Sequence, residues 1–166
     1  MKTSEWLSNI IENGALCSNY ANKVNEAKSK LQLFRLCCDA NGANFLMEMQ
    51  KKSMPLPYET ITKEFASYIN SRYVAEYRNE KGNGYTSTLY CCYDKDNIFV
   101  DTTLCSVLGY TGRIVIAKNN FAKIYLDQNC NVQVELQEGS RAIVEYWKGA
   151  KVEVLNMHDK VQLIEN

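Results

Sequence analysis

An apolar residue recurs every ten positions through the C-terminal part of this chain, at Ile114, Ile124, Val134, Val144 and Val154, and then at Leu163 after a one-residue slip. Around each lies a short β-prone unit: residues 112–116, 122–126, 132–136, 142–146, 152–155 and 161–164. Turn-forming residues separate the units at 118–120, 127–129, 138–140, 148–149 and 157–159. A unit of this length holds a strand of about five residues and a tight turn, so the pattern predicts a stack of short strands. Two arrangements satisfy it. An antiparallel meander reverses at every turn. A β-solenoid winds one way, two units making a coil of about twenty residues.

Both arrangements bury Ala122, Ile124, Leu126 and their equivalents, and turn Lys123, Tyr125, Gln133, Glu135, Glu145, Glu153 and Gln162 to solvent. A meander sets Lys123 near Glu135 but Glu145 near Glu153; a solenoid sets Tyr125 beside Glu145 and Glu135 beside Leu155. Regular turn length and unbroken phase favour the solenoid. Either stack ends in open strand edges, which a cap, a partner or a symmetry mate must cover.

The first seventy-odd residues read differently. Apolar spacing predicts helices over 3–11, 15–38, 43–52 and 58–71, with Pro55 and Pro57 in an extended link. In the second, Leu16, Tyr20, Val24, Ala27, Leu31, Phe34 and Cys38 approach a heptad seam, which serves either a coiled coil or burial against a neighbouring helix. From Tyr73 the pattern becomes strand-like, with 73–77 and 85–93 flanking Gly82, Asn83 and Gly84 as a hairpin. Residues 94–97 form a second turn before strands at 98–100 and 102–105. The expected fold is α+β: an N-terminal bundle of about four helices over 1–72, then an all-β part of short repeated strands over 73–166, solenoid or antiparallel meander.

The residues offer little chemistry. Nineteen basic residues balance nineteen acidic ones, against the basic surplus of a nucleic-acid clamp. No apolar run is long enough to span a membrane, and the first residues lack a signal-peptide core, which predicts synthesis and residence in a cytoplasm. The seven cysteines show no Cys-x-x-Cys spacing and read as reduced, buried thiols. With one histidine, His158, no zinc ligand set forms, and no nucleophile is assignable to His158 and Asp159. Asp94 to Asn97 opens like a calcium loop, but Phe99 and Cys105 stand where Gly and Glu are required. No catalytic residue, metal site, cofactor or small-molecule substrate is expected.

Eleven tyrosines are many for this length, and six lie between Tyr68 and Tyr93. Tyrosine joins a large apolar face to a polar tip, as interfaces require, although strand packing uses it equally. Tyr20, Val24 and Leu31 on the helical seam, with Tyr85, Tyr90 and Tyr93, are the candidate interface residues.

Residues 64–74, 85–91, 139–144 and 149–154 resemble uncharacterised proteins encoded by phages and prophages of gut bacteria, in which a small helical part precedes β-repeats of the Gly/Asn-Ser-x-Val-x-Val kind. The resemblance implies a phage setting, as a virion component or an accessory protein. Together these readings lead to a non-enzymatic structural or assembly protein, a ring, connector or fibre-associated component, partnered by its own copies and other virion proteins. It would be made in the host cytoplasm. The alternative is a monomeric module that binds a host protein or glycan through a tyrosine-rich surface.

Overall fold

The computed structural model describes residues 18–29, 32, 72–78, 84–91 and 93–166. They form a mostly parallel β-solenoid of about four coils with one short helix. Strands β1 (Arg72–Arg78), β2 (Gly84–Cys91), β4 (Leu104–Leu108), β6 (Phe121–Leu126), β8 (Arg141–Tyr146) and β10 (Val161–Glu165) make a six-stranded sheet in that order. Between them run β3 (Asn97–Val100), β5 (Thr111–Ile116), β7 (Asn131–Leu136) and β9 (Lys151–Val154), a four-stranded sheet opposite the first. Only β1 is antiparallel to its neighbour, running from Arg72 against Tyr90 to Arg78 against Gly84.

The register explains the ten-residue period. Phe121 pairs with Arg141, and Asn131 with Lys151, so in the middle coils each side chain lies over the one twenty residues later. Each ten-residue unit is half a coil, and alternate units fall on opposite sheets. One interior column is Ile98, Ile114, Val134 and Val154; another is Cys105, Ile124, Val144 and Leu163. The inner faces of the two sheets meet in a single core that includes Ile114, Ile116, Ile124, Leu126, Val134 and Val144. β-Branched side chains dominate because they pack well on a pleated surface and lose little rotamer freedom there.

Tight corners make the winding possible. Asn119, with φ 57°, and Gly139, with φ 74°, occupy equivalent places in successive coils. Asn119 donates its N–H to the carbonyl of Glu138 (3.0 Å), tying one corner to the next. A Cβ on Gly139 would displace the Asn119 amide oxygen, and the positive φ is the conformation that favours glycine there. The Asn120 side chain donates to the carbonyls of Val100 (3.0 Å), which also accepts the Ala117 N–H, and of Thr102 (3.2 Å), tying this corner to the coil before it.

The structure corrects the expected fold class. Among the described residues the single helix is α1 (Ser18–Glu26), with one further helical position at Gln32; a four-helix bundle is no part of the described fold. The long helix over 15–38 is broken after α1, and the cause is local. Ser29 Oγ accepts the N–H of Gln32 (3.2 Å), and Gln32 Oε1 accepts the N–H of Lys28 (2.6 Å). These bonds are a variant of the Ser-x-x-Gln capping box, which marks a helix start and so ends the continuity of α1. Ala27 therefore falls outside the helix and the heptad seam is interrupted. The helices expected over 3–11, 43–52 and 58–71 lie outside the described residues.

The choice between meander and solenoid resolves to the solenoid. Tyr125 pairs with Glu145 across parallel strands, and Lys123 reaches Glu145 at 2.7 Å rather than Glu135. The outer face is less uniformly wet than expected: Tyr125, Ser106, Leu108, Ser87 and Leu89 are all buried. Buried on both faces, β4 shows no alternation, and it spans Leu104–Leu108 rather than the expected 102–105.

Candidate functional site

The solenoid has two unlike ends and one polar flank. At the first end, aromatic side chains fill the interior. Tyr90 and Tyr93 meet edge to face with centroids 5.0 Å apart, and Tyr93 lies 6.4 Å from Tyr110. The Tyr110 hydroxyl is enclosed by three backbone oxygens, of Asp96 (2.9 Å), Lys95 (3.1 Å) and Arg113 (3.2 Å). Burial, more than the nearby charge of Asp96, pushes this phenol up to about 12.

The candidate interface residues are placed as follows. Tyr90 is buried in the core, its hydroxyl 3.4 Å from the Phe99 carbonyl, and Tyr93 is half-buried against the same core. Val24 is a buried position of α1. Tyr20 and Tyr85 belong to α1 and β2 by backbone, their side chains lying outside the described set, and Leu31 lies outside the described residues altogether. The structure brings Tyr90 and Tyr93 together, and with them Tyr110, which the sequence did not single out.

At the last end the interior is open. Cys105, Ile124 and Val144 are fully buried, whereas Leu163, next in their column, is 43% exposed. Leu155 and Met157 are 37% and 40% exposed in the same last coil. The half-buried Val152, Val154 and Val161 line its interior. Among the described residues β9 and β10 are the final strands of their sheets, so each has a hydrogen-bonding edge without a neighbouring strand there. One closing device is present: Asn156 mimics a strand residue, its Oδ1 accepting the Leu136 N–H (2.8 Å) and its Nδ2 donating to the Leu136 carbonyl (2.9 Å). The sequence signal for this end was the slip before Leu163, where a 3-10 turn (His158–Lys160) lies between β9 and β10. His158 is exposed there, and Lys160, 2.7 Å from Asp159, holds that carboxyl below its usual range.

The polar flank is the outer side of the four-stranded sheet, a shallow groove of about 750 Å³. Asn97, Arg113, Gln133 and Glu153 form one column across it, beside Thr111, Asn131 and Lys151. Gln133 donates to Glu153 at 2.8 Å, and Arg113 reaches Glu135 at 3.0 Å.

A fourth cluster is closed. Asp127, fully buried, accepts the N–H of Gly109 (2.9 Å), the N–H and side-chain amide of Asn129 (3.2 and 3.1 Å) and the Cys130 thiol (3.2 Å). Burial first, and the Asp127 charge second, push that thiol well above its ordinary range, so it stays protonated and a poor nucleophile. The Asp127 set locks a corner. Among the described residues no three His, Cys, Asp or Glu side chains gather as a metal site, and no helix is long and apolar enough to cross a membrane.

No protein-family model, no curated protein and no solved structure matches this chain, so the resemblance to phage proteins gains no support from those comparisons.

Proposed function

We propose that the protein is a non-enzymatic assembly component whose solenoid is a rigid scaffold that associates with its own copies through the last coil. The observation that carries this reading is the column ending in Leu163: three buried members and then one that is 43% exposed. Covering a large apolar side chain contributes about 1.5–3 kcal/mol, and Leu155, Met157 and Leu163 lie in one coil beside two strand edges that have no neighbour among the described residues. The phage setting, with other virion proteins as further partners, is part of this proposal and rests on the sequence resemblance. Light scattering on the full chain tests it. The chain should exceed its 19.0 kDa monomer mass at micromolar concentration, and Leu163→Lys should return it to that mass with an unchanged circular dichroism spectrum. A wild-type chain that stays monomeric contradicts the reading.

A second reading, a monomeric module for a host glycan or protein, is favoured by the polar groove. There Asn97, Thr111, Asn131 and Lys151 have no side-chain hydrogen-bonding partner among the described residues. Titration of the isotope-labelled chain with oligosaccharides would show shifts confined to these residues.

A further inference from the structure

The two ends of the stack cannot play the same part. At the first end, Ile98 and Val100 of β3 are 1% exposed although β3 is the outermost strand of its sheet, and β1 lies antiparallel along β2. The interior is covered there and open at β9 and β10. The apolar interior is exposed at one end only, so an open end covers most apolar surface against another open end, and that contact closes the assembly at two. We infer that the chain forms a tail-to-tail dimer about a twofold axis, in which β9 pairs antiparallel with β9 of a second copy, centred on Val152. The inference rests on the assembly reading above and specifies its partner and register.

The axis fixes the direction of pairing. A twofold perpendicular to the stack reverses the strands it relates, so the contact is antiparallel although the solenoid is parallel. The hydrogen bonds fix which residues can pair. Lys151 N–H and Leu155 N–H point back into the solenoid, to the carbonyls of Cys130 and Val134 (both 2.9 Å). Successive residues of a strand direct their backbone groups to opposite sides, so Val152 and Val154 present N–H and C=O to the free edge. Two copies of Val152 can then exchange both N–H···O bonds.

The charges select among registers. With Val152 on the axis, Lys151 stands opposite Glu153 of the second copy, twice, in the non-hydrogen-bonded positions where side chains come closest. An axis on Glu153 sets two carboxylates face to face. An axis on Val154 sets Lys151 against Met157 and Glu153 against Leu155. Only the Val152 register matches opposite charges. Lys151 is free to engage, having no ion-pair partner among the described residues, and Glu153 uses one oxygen on Gln133.

Light scattering over a dilution series, with the full chain, tests the inference. The wild type should plateau at twice 19.0 kDa. Lys151→Glu should weaken dimerisation roughly tenfold or more, because two attractive pairs become repulsive. The swap Lys151→Glu with Glu153→Lys should restore it, which shows that the single variant had not simply misfolded. Val152→Cys should cross-link to itself on mild oxidation, above the background of the wild type's own thiols. A monomeric wild type overturns both this inference and the assembly reading. A plateau above the dimer mass, or a Lys151→Glu chain that dimerises as tightly as wild type, overturns the twofold register while leaving association through the last coil in place.

Discussion

The phenol of Tyr110 occupies the space that a side chain on residue 112 would fill. A Cβ built on Gly112 lands on the Tyr110 hydroxyl, 2.7 Å from the ring carbon that carries it and 2.9 Å from the Asp96 carbonyl oxygen. Gly112 also has φ 153°, which other residues adopt only under strain. Its partner one coil on is Val132, so a glycine replaces the expected apolar residue in order to admit a tyrosine hydroxyl. Gly112→Ala should therefore destabilise the fold by about 2–4 kcal/mol. Tyr110→Phe, which keeps the ring and removes the donor, should cost about 1–2 kcal/mol. Chemical denaturation midpoints measure both, and a neutral Gly112→Ala would contradict the close approach.

The same hydroxyl predicts an alkaline weakness. Its pKa in the fold, about 12, lies above the ordinary phenol value of about 10, so the neutral form is the one the fold favours. That contribution is fully present below pH 10 and is lost as pH rises through 12, because the unfolded chain releases the proton first. Stability measured across this window should fall less steeply in Tyr110→Phe than in wild type. Equal slopes would show that the phenol is not buried as described.

Asp127 supports a corner in which four donors converge on one carboxylate. Asp127→Ala leaves the Gly109 and Asn129 N–H groups without that acceptor, at a cost of about 2–4 kcal/mol. Asp127→Asn keeps one acceptor oxygen and should cost less. Cys130 serves as the reporter: its thiol should resist alkylation at neutral pH in wild type and label faster in Asp127→Ala. Peptide mapping after brief labelling reads this directly.

The parts of this architecture differ in how far the residues announce them. Ile114, Val134 and Val154, with Ile124 and Val144, revealed strand number and phase, because stacking equivalent residues requires a repeat that the eye can find. Direction was not in the apolar period, since meander and solenoid bury the same positions. It lies in corners such as Asn119 and Gly139, whose backbone conformations carry the chain onward into the next coil. β4 lies beyond the expected 102–105 because Ser106 and Leu108 are buried with Cys105 and Val107, erasing the alternation that marks a half-exposed strand. The helix expected over 15–38 runs through Ser29 because apolar spacing continues past it, although Ser29 and Gln32 carry a capping signal in the sequence itself. Of the candidate interface residues, Tyr90 illustrates a general ambiguity: an aromatic residue in a strand has the same letter whether it fills the first coil or meets a partner. The open end was foreseen as a stack's exposed edge, but its position, at Leu163 and β9, depends on which end the tyrosines fill.

Hydrogen exchange at two protein concentrations tests the central claim most directly, because it asks which backbone groups become covered. At high concentration the edge amides of Val152, Val154 and Leu163 should exchange more slowly than after dilution, while amides of β5 to β7, already bonded within the solenoid, should be unchanged. Protection that ignores concentration at β9 and β10, or that rises elsewhere on the solenoid, would contradict association through the last coil.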